Sequence, residues 1–262
     1  LRDIEPETNT VADLIPQILP GSADEFRLLT DAVGGKGYRQ IDINLGCPFP
    51  MIAGKHKGAG MLLYPAQVAE VLAPIAEYPE IQFSLKMRLG WENASECMVL
   101  VELLNALRLS RIALHARTGK QQYKGHPDLE AFQGFYELCQ HPLYYNGDIE
   151  SLSDIRQILT RFPLLKGVFI GRGLLSSPLL AKEFKGNETF LPEQRMSIYF
   201  AFHEELFSAY SQVLQGETQL LVKMKTLWEY FLPETDRKLL KRIKKSTRLQ
   251  QYTESVKAIF TS

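Results

Sequence analysis

At 262 residues the chain is long enough to bury a full core, as one large α/β domain or two smaller ones. Hydrophobic content of 45% and charged content of 23% are ordinary for a globular protein, and 30 basic residues balance 30 acidic ones, so overall charge selects no polyanionic partner. Three widely spaced cysteines, Cys47, Cys97 and Cys139, exclude a disulfide framework and a zinc pattern and fit a reducing cytosol. No apolar run approaches the roughly 18 residues of a membrane span. The chain opens on Leu1 rather than Met, with the polar segment LRDIEPETNT, and is silent about a leader peptide.

In chain order, β-rich runs are predicted at residues 11–19, 38–46, 82–90, 111–117, 142–149 and 167–173. The first five are each followed by a helix-like stretch, such as SADEFRLLTDAVGGKG, PAQVAEVLAPIAEYP and SLSDIRQILTRFP. Ser22, Asn93 and Ser151 stand at or beside the expected helix starts. Strand alternating with helix predicts a parallel sheet with right-handed crossovers, and the mostly apolar runs fit strands covered on both faces.

Two architectures produce that order, an open doubly wound sheet and a (β/α)8 TIM barrel. No G-x-G-x-x-G follows the first run, which weighs against a dinucleotide-binding sheet. Polar residues instead crowd the C-terminal ends of the runs: Gln17, Asn44 with Cys47, Lys86 with Arg88, His115 with Arg117, Asn146 with Asp148, and Gly171 with Arg172. A barrel builds its active site on that rim. A barrel has eight strands, so the expectation is that the first two βα units, roughly 50 residues, are missing from this chain. Beyond Phe190 the strand signal stops. Amphipathic stretches such as EQRMSIYFAFHEELFSAYSQVL and TQLLVKMKTLWEYF predict a C-terminal all-helical domain, dividing the chain into domains 1–190 and 191–262. Within the second, residues 237–248 carry seven basic residues and no acid, either a solvated helix face or a phosphate-contacting surface.

The segments IDINLGCPFP, GKHKGAGMLL, SLKMRLGW, ALHARTGKQQYKG, YYNGDI and VFIGRG follow one another at these strand ends. Each is a weak motif alone. Together they resemble the tRNA-dihydrouridine synthase family, closely over residues 11–184 and loosely over the helical tail. The resemblance implies an FMN-dependent TIM barrel with a helical tRNA-binding domain; a cytoplasmic monomer without metal or membrane is the default expectation, since a tRNA substrate needs no second subunit and the cysteine usage fits a reducing cytosol. Its reaction is reduction of particular uridines in tRNA, with NADPH as electron source. The family's first strand carries an Ala-Pro-Met-type flavin motif; this sequence has none, in keeping with the strand count.

Uracil reduction needs a hydride at C6, which reduced FMN supplies, and a proton at C5 from a general acid. Cys47 is the candidate acid, because a thiol can donate a proton at neutral pH and its Gly46 and Pro48 neighbours suit a rigid loop. An isolated cysteine is more often a small buried hydrophobe, the reading kept for Cys97 and Cys139. The glycine-rich, basic MIAGKHKGAGML that follows is expected to be a mobile lid.

The resemblance places Lys86 beside the flavin, where its charge would stabilise the reduced ring; otherwise it would pair with Asp42 or Asp148. Gln17 and Asn44 each offer a donor and an acceptor to the ring's amide-like edge, although Asn44 also suits a strand-end cap. By resemblance, His115 faces the flavin or its phosphate. Asn146, Gly147, Asp148, Gly171 and Arg172 are expected around that phosphate, aided by the helix start near Ser151. Arg117, Lys55, Lys57, Lys120, Lys124 and the 237–248 cluster are candidate tRNA contacts. Two alternatives remain at this point, an FMN barrel acting on a free pyrimidine or small enone, and a non-catalytic RNA-binding relative.

Overall fold

A computed structural model describes residues 4–9 and 14–261. The strands are β1 (Gln17–Ile18), β2 (Gln40–Leu45), β3 (Gln82–Gly90), β4 (Leu109–Thr118), β5 (Leu143–Asn146) and β6 (Gly167–Phe169). They form one sheet in the order β1-β2-β3-β4-β5-β6, every pairing parallel. Each strand thus lies beside its sequence neighbour, which is barrel-type winding and not the reversal of a doubly wound sheet. Residues 11–13 of the first predicted run lie outside the described residues, and of the rest only Gln17 and Ile18 pair. Strand pairing ends at Asn146 and Phe169, short of the predicted limits. There the Asn146 side chain donates to the Phe169 carbonyl (3.0 Å) and replaces the next rung of the ladder.

The helices α1 (Ala23–Gly34), α2 (Pro50–Ala53), α3 (Pro65–Leu72), α4 (Glu96–Ala106), α5 (Leu129–Leu138) and α6 (Leu152–Arg161) fall between strands. Their starts follow local chemistry. Ser22 Oγ accepts the Glu25 N–H at the head of α1, and Asp128 caps α5 through the Ala131 N–H. At α4 the cap reaches backwards: the Glu96 carboxylate accepts the N–H groups of Trp91, Glu92 and Asn93. α3 stops where Pro74 begins a 3-10 turn. From α1, Phe26 packs on Phe83 of β3 with ring centroids 5.2 Å apart. From α5, Phe132 meets Tyr145 of β5 at 5.1 Å. Burying each such ring stabilises the fold by roughly 2–3 kcal/mol.

The chain divides into two compact units, one running to Asp148 with Arg156–Phe169, the other comprising Ile149–Ile155 and everything from Ile170 onward. The second contains α7 (Arg172–Ser176), α8 (Leu180–Gly186), α9 (Pro192–Val213), α10 (Glu217–Leu227), α11 (Arg237–Lys245) and α12 (Leu249–Phe260). Its core gathers Tyr199, Met224, Trp228, Phe231, Ile243, Tyr252 and Val256. Trp228 Nε1–H donates to the Tyr252 hydroxyl (3.0 Å), so the hydroxyl hydrogen is left for His203 Nε2 (2.7 Å). The imidazole then carries its own proton on Nδ1, facing Glu204 (3.1 Å). Among the described residues no helix is long and apolar enough to cross a membrane.

Candidate active site

The sheet's register assembles the rim. Gln17 pairs with Asp42, and Asp42 with Ser84. Asn44 pairs with Lys86. Arg88, His115 and Asn146 form one row across β3, β4 and β5. Side chains two residues apart on a strand share a face, so Asp42 with Asn44 and Ser84 with Lys86 and Arg88 fall on common sides.

Around Cys47 the polar contacts are internal. Asn44 Oδ1 accepts the N–H groups of Gly46 (2.9 Å) and Cys47 (2.8 Å), and Asn44 Nδ2 donates to Gln17 Oε1 (2.6 Å). Asn44 is therefore a strand-end cap, with one amide hydrogen to spare. Gln17 Nε2 donates to Asp42 Oδ2 (2.6 Å), and Ser84 Oγ donates to Asp42 Oδ1 (2.5 Å).

The segment after Cys47 differs from the mobile lid expected of it. It forms α2 and then a 3-10 helix, Gly58–Leu63, in which Gly58, Ala59, Gly60, Met61 and Leu62 are buried. The Ala59 N–H donates to the Cys47 carbonyl (3.0 Å). Gly58 has φ +56°, and a Cβ there would stand 2.9 Å from that of Cys47, so only glycine lets the chain close this tightly. Lys57, expected on tRNA, is fixed on Glu25 at 2.6 Å. Phe49, Met51 and Leu63 are the exposed large apolar residues of this segment.

Lys86 lies mostly buried, with no hydrogen bond or ion pair to any described residue, so neither suggested carboxylate partner is realised. Burial, followed by the nearby Arg88, pushes its pKa down. Arg88 is buried and spent on carbonyls: Nε–H donates to Gly46 (3.0 Å) and Nη1–H to Thr118 and Gln122 (2.8 Å each). Its guanidinium also sits 5.6 Å from the Tyr123 ring centre. His115 is 5% exposed, and its Nε2 has no partner. Burial, then the charges of Arg88, Lys86 and Arg117, lowers its pKa to about 3, so the imidazole is neutral.

Arg117, expected to read a base or phosphate, is engaged within the chain. It is 1% exposed and bonded to both oxygens of Asp148 (2.7 and 2.6 Å), the Gly125 carbonyl (2.6 Å) and the Lys124 carbonyl (3.4 Å). Its guanidinium ties the end of β4 to Asp148 and to the carbonyls of Lys124 and Gly125. Gly147 is needed because a Cβ there would collide with the Tyr145 hydroxyl. At the head of α6, Asp154 accepts the N–H groups of Glu150 and Ser151 (3.0 and 2.8 Å), and Ser151 Oγ accepts the Asp154 N–H (3.1 Å). Gly171 and Arg172 lie in the second unit, where Gly171 is the N-cap residue of α7. Lys55 and Lys124 are exposed, while Lys120 pairs with Glu92 (2.6 Å). Sequence reasoning missed Asp42 and Ser84 as parts of the rim, and left Arg88 without a role. The signal was present for Asp42, a carboxylate two residues before Asn44 on a strand buried on both faces.

The rim therefore sets a thiol near a partly buried lysine and a buried imidazole nitrogen, neither with a partner among the described residues. Positive charge outweighs negative there, which suits an anionic or carbonyl-rich ring. Among the described residues no three His, Cys, Asp or Glu side chains gather to hold a metal ion.

The family described as dihydrouridine synthase (Dus) matches residues 4–261. The chain belongs to the dihydrouridine synthase family. A probable tRNA-dihydrouridine synthase of Rhizobium leguminosarum bv. phaseoli is 33% identical over 139 residues, covering 53% of this chain and 44% of that protein. tRNA-dihydrouridine synthase B of Vibrio vulnificus (strain CMCP6) is 28% identical over 161 residues, covering 60% and 50%. The chain spans about half the length of these curated relatives. Among solved structures, histamine dehydrogenase from Rhizobium sp. 4-9 gives a TM-score of 0.49 at 16% identity, covering 63% of this chain and 27% of that one. Morphinone reductase gives 0.47 at 14%, covering 66% and 51%. Likenesses this faint do not enter the functional reading.

Proposed function

We propose that the protein reduces specific uridines in tRNA to 5,6-dihydrouridine, with FMN bound at the barrel rim and NADPH as electron donor. The observation that carries this is that the partly buried Lys86 and the buried His115 Nε2, neither with a partner among the described residues, lie on the rim where the Cys47 thiol is held. A partly desolvated cation and a buried ring nitrogen without partners are costly unless a ligand meets them. FMN fits, since its ring offers carbonyl oxygens and accepts negative charge on reduction.

When bound, FMN supplies the hydride that goes to C6 of the uracil ring. Cys47 delivers the proton to C5, its backbone held by Asn44 so that the sulfur keeps one position. Lys86 supplies positive charge to the reduced ring. His115, neutral and buried, has a ring nitrogen free to accept or donate one hydrogen bond, according to its tautomer. Asn146, Gly147, Gly171 and Arg172 remain proposed phosphate contacts on sequence grounds alone. The target base must leave the stack to reach Cys47. Lys55, Lys124 and the basic face of residues 237–248 are proposed to meet the tRNA backbone, with 191–262 as the tRNA-binding domain. The enzyme is proposed to be monomeric and cytoplasmic.

The deciding experiment takes the full-length gene product, records its visible spectrum, then adds NADPH followed by unmodified tRNA. A yellow protein bleached by NADPH, reoxidised by tRNA and leaving dihydrouridine behind supports the reading. Reoxidation by small pyrimidines or enones but not tRNA would replace it with a small-molecule reductase. A colourless protein that takes up no FMN would leave only RNA binding.

A further inference from the structure

Asp42 takes no part in the chemistry proposed above, yet its surroundings are unusually determined. It lies on β2, 7% exposed, and among the described residues no lysine or arginine is paired with it. One oxygen accepts from Ser84 Oγ (2.5 Å), the other from Gln17 Nε2 (2.6 Å). From Gln17 the contacts run outward: Asn44 Nδ2 donates to Gln17 Oε1 (2.6 Å), and the Gly46 and Cys47 N–H groups donate to Asn44 Oδ1 (2.9 and 2.8 Å).

Side-chain amides can ordinarily be turned end for end, but here both ends of the chain of contacts forbid it. Both Asp42 oxygens accept, one from Ser84 and one from Gln17, so Gln17 turns its NH2 towards Asp42 and its oxygen towards Asn44. A backbone N–H only donates, so Asn44 must turn its oxygen towards Cys47 and its NH2 towards Gln17. The two requirements meet and agree. Reversing both amides would set NH2 against N–H at Cys47 and oxygen against oxygen at Asp42, each a mismatch at a partly buried contact.

We propose that Asp42 is a positioning residue. Acting through Gln17 and Asn44, it fixes the direction of both amides and so holds the backbone beneath Cys47. The same alignment fixes which amide hydrogens and lone pairs remain for a bound ring. The meaning of this for catalysis rests on the reading of Cys47 as proton donor; the alignment itself does not.

The test reads the thiol directly, without cofactor or tRNA. Folded protein is alkylated with iodoacetamide and the rate at Cys47 is followed by peptide mass spectrometry, with buried Cys97 as internal reference. Asp42→Ala should raise the Cys47 rate about fivefold, the worth of one hydrogen bond of ordinary strength. Asn44→Ala should do the same, and the double variant should react no faster than Asn44→Ala alone, because both changes act on one path. Asp42→Asn should stay within about twofold of the parent, since an asparagine can keep its oxygen towards Gln17 while its NH2 meets the Ser84 hydroxyl. Ser84→Ala, which spares the path, should leave the rate alone.

If Asp42→Ala proves too unstable, Gln17→Ala breaks the same path at its middle with Asp42 intact and must reproduce the increase. A Cys47 rate unmoved by Asp42→Ala or Gln17→Ala overturns the proposal, as do additive effects of Asp42→Ala and Asn44→Ala. Failure to form dihydrouridine with the alkylation pattern as expected would sink the proposed function and leave the positioning role standing.

Discussion

Arg117 grips Asp148 through two nitrogens, at 2.7 and 2.6 Å, while buried to 1% exposure. The fork geometry ties the end of β4 to the loop after β5, and its remaining hydrogens hold the carbonyls of Lys124 and Gly125. Arg117→Met should therefore destabilise the protein by about 3 kcal/mol. Asp148→Asn should cost a comparable amount, because it leaves the charge of the buried guanidinium without a counter-charge. The double variant should cost well below the sum, since neither charge is then left alone. Urea denaturation of the three proteins measures this. Full stability in Arg117→Met, with a weaker salt dependence of tRNA binding, would return Arg117 to the role of phosphate contact.

Lys86 is a liability to the fold that its ligand would relieve. It is a mostly buried cation near Arg88, with its pKa lowered mainly by burial. Lys86→Met keeps the stem and removes the charge. The variant without cofactor should be more stable by about 1 kcal/mol, raising Tm by about 2–4 °C. Its FMN affinity and its rate of reduction by NADPH should each fall, by roughly tenfold. Calorimetry and flavin fluorescence report the two effects separately. A less stable variant would mean that Lys86 has an unrecognised partner.

Two histidines make stability depend on acidity. His115 is held to a pKa of about 3, chiefly by burial and then by Arg88, Lys86 and Arg117; burial also lowers that of His203. Unfolded, both titrate near about 6.5. Below that pH the unfolded chain takes up protons that the folded protein refuses, so stability is lost as pH falls. Between about pH 6 and about pH 5, above most carboxylate titration, each buried histidine contributes a slope of up to about 1.4 kcal/mol per unit. His115→Gln should flatten the slope for the first unit, and His203→Gln for the second. Unchanged slopes would mean that these rings are protonated in the folded state.

What the sequence made legible was the path of the chain. Period and composition place β3 where the structure has it, and β2 and β4 to within two residues, because apolar strands covered on both faces admit little else. The polar positions at strand ends were visible for the same reason: a Lys or His in such a run has few benign explanations. The direction of their contacts was not visible. Arg117 looks like a substrate contact until Asp148, 31 residues away, closes on it. Residues 51–62 look like a lid because they are rich in glycine. Gly58 is there instead to let the chain pack against Cys47, a contact that no local pattern encodes.

Cys47 carries the proton step in the proposed reaction, so its removal should separate the two halves of the cycle. Cys47→Ala should bind FMN and be reduced by NADPH at the parent's rate. Dihydrouridine formation should fall by about 10²–10⁴, the usual worth of a positioned general acid. Single-turnover reoxidation of the reduced protein by tRNA measures the second half alone. A Cys47→Ala protein that reoxidises normally would move the acid to another residue.

The basic face of α11 is the remaining element with a quantitative consequence. Lys238, Lys241, Arg242 and Lys245 line one shallow cavity of about 540 Å³ with Ser246, Gln251 and Glu254, while Ile243 of the same helix is buried. The apolar stripe holds the helix in place and leaves the charges outward, so they can change without disturbing the core. Lys241→Glu and Arg242→Glu should each leave stability within about 0.5 kcal/mol. Each should weaken tRNA binding for every sequence alike and reduce the dependence of log K on log salt by about 1, as one phosphate contact is lost. Titrations at several salt concentrations read this slope. Variants whose slope matches the parent's would show that the charges only solvate the helix, and the tRNA path would then have to run over Lys55 and Lys124.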